Sequence, residues 1–569
     1  MHPSRALLRL LAIVALLAPL AAAAQGKAES EAQPLDTSVC LGCHGNEGFE
    51  APGPDGKTRS LYVPGDPFLK SVHGQFGCTL CHSDITQVPH DLKQRAKVDC
   101  GSCHADEKAQ YLTSVHGIES VIKHNPHAAT CTSCHTMHAV ASPKLAATRI
   151  QIVHRCGNCH RENFSSYIDT YHGQVNTLGY AYTAKCFDCH GSHGIQRVSD
   201  PASTVYPANR LATCRKCHAN ATAGFVTFEP HANTHDLRRY PYTWLASKLM
   251  IALLVGVFLF FWTHSLLWFY REYRDRRAGK SRTHVAAAAV PAGGRHIRRF
   301  GPWWRLAHLV FALSVMMLVF TGMTLFYADT AWARAVMAAF GGPRIEGIVH
   351  RTSAAVMLGI FFVHLVYLAA HLWRTRSTFR WFGPDSLVPN WKDFEDMLAM
   401  FKWFFGAGPR PLLERWTYWE KFDYWAVFWG MAIIGGSGMM LAFPAVTASF
   451  LPGWTLNVAT LVHGEEAFLA AVFLFTVHFF NNHFRPDKLP PPDIVMFTGS
   501  VSLEEFSREH PLQYRRLAES GQLERYLVEV PSAPMRVGSK ILGIVLILCG
   551  LALLALVAIG FHGTLAAGG

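Results

Sequence analysis

The chain has 569 residues, of which 50% are hydrophobic and 16% charged, with a formal net charge of +12. So apolar a composition excludes an ordinary soluble protein, and the length calls for several domains. The positive balance does not mark a nucleic-acid surface, because residues 25–243 are nearly neutral and the excess lies beyond them, mostly between long apolar stretches.

Residues 1–24 place Arg5 and Arg9 around the start of an apolar run, Ala6–Leu20, followed by Ala22–Ala24. This is the pattern of a secretory signal peptide cleaved after Ala24. The run is shorter than the roughly 20 residues that a membrane span needs. A polar tether follows over 25–36.

Seven Cys-x-x-Cys-His motifs come next. They are Cys40, Cys43 and His44; Cys78, Cys81 and His82; Cys100, Cys103 and His104; Cys131, Cys134 and His135; Cys156, Cys159 and His160; Cys186, Cys189 and His190; and Cys214, Cys217 and His218. Two thiols three residues apart can form thioethers to one porphyrin edge, and the next residue then sets an imidazole under the iron, so the motif reads as the attachment signature of haem c. Zinc knuckles would not need His at the same place in every copy, and disulfides would not need it at all. Of the 15 cysteines only Cys549 lies outside the motifs, in an apolar run.

The motifs sit in a repeat whose units open at Cys40, Cys100 and Cys156. Each unit holds a motif, a Ser/Thr-x-His-Gly element, a second motif and a trailing His. The internal elements supply His73, His116 and His172. The trailing residues are His90, His138 and His193. Cys214 opens a half unit whose trailing candidate is His231, with His235 behind it. Seven irons thus meet seven spare imidazoles, with His124, His127 and His154 as substitutes. Such a region has room for short helices and loops, few strands, and an interior made by stacked porphyrins.

From Tyr242 the texture changes to six long apolar spans, near 244–270, 303–326, 348–372, 424–445, 458–482 and 537–561. The expected fold class is therefore mainly α: a loop-rich multihaem domain over 25–243, then an all-helical membrane bundle over 244–569. Lys and Arg crowd the segments 271–300, 373–423 and 484–536, whereas 327–347 and 446–457 hold only Arg334 and Arg344. The basic loops then face the cytoplasm and the haem region the periplasm.

Histidines inside spans are costly and usually functional. His350 and His364 share the third span, and His463 and His478 the fifth, at spacings of about 21 and 22 Å along a helix. His350 and His463 meet at the periplasmic level and would hold one b haem. At the cytoplasmic level His308 with His478 is the first pairing and His364 with His478 the second. His264, His371 and His483 either bond between helices or serve a third b haem. Glu465 and Glu466 follow His463; they either relay a quinol proton or begin a solvated helix turn. The Trp and Tyr residues at span ends, from Trp416 to Trp425, read as an interfacial belt.

The stretch RRFGPWWRLAHLVFALSVMMLVFTGM at the second span resembles the first helix of formate dehydrogenase gamma-type di-haem cytochromes b. His350–Arg351, YWEKFDYWAVFWG at 418–430 and HGEEAFLAAVFLFTVHFFNNHFRPDKLP at 463–490 are similar to the later helices of fusions between multihaem cytochromes c and cytochrome b. The resemblance implies haem-ligand roles for His308, His350, His463 and His478. That family usually lacks a second His on the third span, so His364 departs from it. It also implies seven c haems, two b haems, menaquinone or another quinone as substrate, and quinol oxidation with electrons passed to periplasmic cytochromes or another periplasmic redox protein. The expected setting is the bacterial inner membrane, with the quinone site near the cytoplasmic b haem and no nucleic-acid partner. The alternatives are a terminal reductase of a nitrogen or sulfur oxyanion, and a haem-bearing membrane subunit of a periplasmic dehydrogenase.

Overall fold

The computed structural model describes residues 36–53, 57–91, 97–279 and 294–567, so the signal-peptide segment lies outside the described residues. The chain forms two compact units. One holds the residues up to Thr148 with His193–Ile195; the other holds Arg149–Ser192 and everything from Gln196 onward. Compactness thus divides the chain at 148, not at the composition change near 243. The last three motifs fold with the spans because specific bonds tie them there. Thr222 Oγ1 donates to Ala448 O at 2.8 Å, Asn457 Nδ2 donates to Glu229 O at 2.8 Å, and Tyr242 stacks on Trp454 at 4.0 Å.

The first unit has almost no polypeptide core. Its only buried described residues are Ala51, Ser114, Gly117 and Thr148. An antiparallel pair, Glu50–Pro52 with Thr58–Ser60, and short helices make up its structure. A unit this open cannot repay the conformational entropy of ordering from its own buried area.

The sequence repeat returns as a structural one. Ser114 caps a short helix, its Oγ accepting from Gly117 N at 3.0 Å, and Thr170 does the same for Gly173 N at 3.2 Å. A Cβ on Gly117 would fall 1.9 Å from Tyr111 O, and one on Gly173 2.2 Å from Tyr167 O, so the helix can dock only through glycine. Those tyrosines repeat as well: Tyr111 Oη donates to Ala129 O and Tyr167 Oη to Ala184 O, each two residues before the next motif. The Ser/Thr-x-His-Gly element is therefore a device that aims one imidazole.

In the second unit six helices are long and apolar enough to cross a membrane: Pro241–Arg277, Pro302–Phe326, Pro343–Thr375, Tyr418–Ala442, Trp454–Phe484 and Ala533–Gly563. The protein is mainly α and an integral, multi-pass membrane protein. Val319, Met323 and Tyr327 of the second span, Ala471, Val472, Phe475 and Phe479 of the fifth, and Ile547 and Val557 of the sixth form the largest core. The fourth and fifth spans are interrupted by π-helical turns at Met431–Gly435, Leu474–His478 and Phe480–Phe484.

One end of the bundle is closed by a small cap whose three strands come from two loops, and the loop over 373–423 joins it where Leu512 N donates to Leu413 O at 3.2 Å. Strand His296–Arg298 pairs antiparallel with Ser500–Ser502 and with Leu527–Val528, over a core of Ile297, Val501, Leu503, Phe506, Tyr514 and Leu517. All three basic loops therefore meet at one end, and the bonds to Ala448 and Asn457 lie at the other. Buried charges tie the cap down: Lys488 Nζ lies 2.7 to 2.8 Å from Asp493, Glu505 and Glu509, and Arg485 lies 2.9 Å from Glu509. These cations hold the Glu509 carboxylate well below its usual range despite its burial.

His510, inside this cap, donates from Nδ1 to Glu414 O at 2.8 Å, and burial pushes its imidazole down to about 4. A folded value below the unfolded one means that the unfolded chain binds the extra proton, so stability is lost as pH falls from 6.5 to about 4. The loss is about 3 kcal/mol for a shift of this size. Hydrogen exchange of the segment 500–528 should accelerate across that window, and His510→Asn should flatten the dependence there while leaving the steeper loss at lower pH that Glu509 causes.

Candidate functional site

A turn of helix places Cys i and Cys i+3 on one face with the histidine just beyond. The chain forms such turns at Thr37–His44, Cys78–Cys81, Cys131–His135, Ala146–Cys159 and Cys186–His190. No disulfide joins the cysteines. Within each repeat the first cysteines of the two motifs come within hydrogen-bonding reach: Cys40 and Cys78, Cys100 and Cys131, Cys156 and Cys186. The motifs are thus arranged in pairs.

The motif histidines do not stand alone. His44 faces His90 at 6.1 Å between ring centres, His104 faces His73 at 6.1 Å, His82 faces His138 at 6.4 Å, and His135 faces His193 at 6.1 Å. In the second unit His218 faces His172 at 6.1 Å and His190 faces His231 at 6.4 Å. Direct ring stacking would be closer. Two imidazoles on opposite sides of one metal, each about 2 Å away through nitrogen, have centres about 6 Å apart. The remaining motif histidine, His160, follows helix Ala146–Cys159 in the second unit, and His116 sits on Val115–Gly117 in the first. His235, the substitute for His231, is in none of these pairs.

The same spacing recurs between spans, where His350 and His463 lie 6.4 Å apart. Their nitrogens are accounted for. Thr321 Oγ1 gives its proton to Met317 O and therefore accepts from His350 Nδ1, at 2.7 Å. His463 Nδ1 donates to Ile434 O at 3.0 Å, a carbonyl in the π-helical turn of the fourth span. Both rings are left with Nε2 as a free lone pair. A Cβ on Gly438 would lie 2.9 Å from His463 Cε1, so the glycine keeps room for that ring. His478 is prepared in the same way: its Nδ1 donates to Asp423 Oδ2 at 3.1 Å. A bond of this type to the far nitrogen sets the tautomer and raises the basicity of a metal-binding ring. His44 and His231 show it as well, through Leu61 O at 2.8 Å and Ser166 Oγ at 3.1 Å.

Other intramembrane histidines are spent differently. His364 Nε2 is bonded to Tyr424 Oη at 2.9 Å, and His264 Nε2 to Tyr418 Oη. His371 stacks on Tyr367 and His483 packs on Phe479. His308 is within electrostatic reach of both His478 and His483, so of the two pairings at that level the first joins rings that already share a neighbourhood. Among the described residues no three His, Cys, Asp or Glu side chains converge on a common point; the recurring arrangement is the pair. The residue types and spacings therefore fit porphyrin iron held from two sides.

Sequence reasoning passed over Asp423 and read Tyr418 and Tyr424 only as belt residues. The signal was there in YWEKFDYW, an acid and two hydroxyls opposite spans rich in histidine. Glu466 is also not at a solvated helix start: it is 3% exposed, and its Oε1 accepts from Trp429 Nε1 at 2.8 Å. No protein-family model, curated protein or solved structure matches the chain.

Gly438→Val should push the His463 ring away from His350. Non-covalently bound porphyrin should fall by about half relative to covalently bound porphyrin in a pyridine haemochrome assay. His264→Phe, which removes a tyrosine-bonded ring, should leave that ratio unchanged.

Proposed function

We propose that this protein is a membrane-bound electron carrier with seven c haems and two b haems, moving electrons from the quinol pool to periplasmic redox partners. The observation that carries the reading is the repeated pair: six motif histidines each 6.1 to 6.4 Å from a spare histidine, and the same spacing again between two membrane spans. A haem iron held by two imidazoles supplies one-electron transfer and has no open position for substrate. That property favours a carrier over a reductase of oxyanions.

Within this reading each side chain has a defined task. The motif cysteines would anchor porphyrin, with His44, His82, His104, His135, His160, His190 and His218 as the motif ligands. His73, His90, His116, His138, His172, His193 and His231 would supply the second ligands. His350 and His463 would hold one b haem, and His478 with His308 the second. Leu61 O, Ser166, Thr321, Ile434 O and Asp423 fix ring orientation through Nδ1. The long spacing from His463 to His478 would put the two b sites at different depths, about 22 Å apart along the helix. Oxidation of quinol with outward flow to a periplasmic cytochrome rests on the resemblance of the spans. So does placement in the bacterial inner membrane with the motif region outside.

Purified protein should give seven thioether-linked and two extractable porphyrins per chain. In proteoliposomes mixed with a menaquinol analogue by stopped flow, the b bands should reduce before the c bands. Absence of either porphyrin class, or c bands reducing first, overturns the proposal.

A further inference from the structure

Glu466 lies in the fifth span three residues beyond His463, a rise of about 4.5 Å. It is 3% exposed, in a segment whose mean hydropathy marks it as membrane-spanning. One carboxylate oxygen accepts from the Trp429 indole; the other, Oε2, is buried with no hydrogen-bond partner, and no cation pairs with the carboxylate among the described residues. Holding an acid in such a place costs several kcal/mol, so intramembrane acids persist where they have a task. What covers the acid is equally specific. Trp429 belongs to the fourth span and is 53% exposed on the outer face of the bundle. Its indole is therefore a single side chain lying between lipid and a half-bonded carboxylate. The turn that follows it, Met431–Gly435, is π-helical and continues into Gly436 and Gly438, with no side chain within 4 Å of where a Cβ on Gly436 would be. This stretch offers a loosened, side-chain-poor helix face beside the lid.

We propose that Glu466, lidded by Trp429, is the headgroup site for a membrane quinol, entered from the lipid at the level of His350 and His463. This rests on the electron-carrier reading and places the substrate at the opposite level from His478. A quinol hydroxyl replaces the indole as donor to Glu466. Quinol oxidation releases two protons and two electrons. The two O–H bonds break and the ring becomes a quinone; one-electron acceptors of the b-haem class would take the two electrons. Glu466 takes the first proton on Oε1, the oxygen that the hydroxyl bonds, and passes it to water before taking the second. When the indole returns to Oε1, the carboxylate is again ionised and half-bonded.

The test uses the holoprotein in lipid nanodiscs with a short-chain menaquinol analogue, comparing wild type, Glu466→Gln, Glu466→Asp and Trp429→Phe. Glu466→Gln should slow quinol-driven reduction of the b bands by about 100-fold, the size of a lost proton acceptor, while dithionite still reduces the full b content. Glu466→Asp should recover part of the rate, and Trp429→Phe should keep it within about five-fold of wild type. An azido-quinone photolabel on wild type should mark the peptides holding Trp429 and Glu466. A Glu466→Gln rate within about three-fold of wild type, loss of b porphyrin in that variant, or labelling confined to the His478 end overturns the inference. Absence of b bands in the wild type would instead overturn the electron-carrier reading itself.

Discussion

Everything in this structure depends on holding two imidazoles about 6 Å apart without letting them pack on each other. That arrangement is expensive for a polypeptide alone. It prevents the rings from packing, leaves polar nitrogens unpaired, and denies the first unit a core of its own. The chain keeps the geometry through short capped helices, glycines that allow close docking, and Nδ1 bonds to carbonyls, hydroxyls and a carboxylate. Each device fixes a ring from behind so that its front stays free.

The membrane bundle applies the same logic with different materials. Helical spans satisfy their own backbones, so a side chain can be devoted to a ligand only if its second nitrogen is bonded to a neighbouring span. Thr321, Ile434 O and Asp423 provide those bonds. The π-helical turn in the fourth span is where such a bond becomes possible, because a local departure from i to i+4 pairing frees a carbonyl for His463. Tyrosine does the reverse. Tyr418 and Tyr424 bond the Nε2 of His264 and His364, the nitrogen that the other rings leave unbonded.

The cap at the other end is an ion-paired structure assembled from loops far apart in the chain. Its charges are buried yet matched, with Lys488 and Arg485 facing Glu509, Asp493 and Glu505. Removing one member would leave a buried charge uncompensated, which is more damaging than never having had the pair. This gives the basic loops a second role besides orienting the spans: they fold together and tie the second, third, fifth and sixth spans at one end.

Reading the chain alone was enough for the seven Cys-x-x-Cys-His motifs, the repeat, the six spans and the approach of His350 to His463. Those are local spacings or helical periods, and the physics that produces them acts within a few residues or one helix. The partner of each motif histidine was not legible, because His90 reaches back to the first motif, His73 forward to the third and His231 back to the sixth; only folding of the loops decides this. Nor could periodicity separate His308 from His364 as the partner of His478. That distinction lies in which nitrogen a neighbouring helix claims, and an acid or a hydroxyl across an interface leaves no periodic trace in sequence. The division at residue 148 and the burial of Glu466 under Trp429 belong to the same class, since both arise from contacts between residues that the chain holds far apart and only tertiary packing brings together.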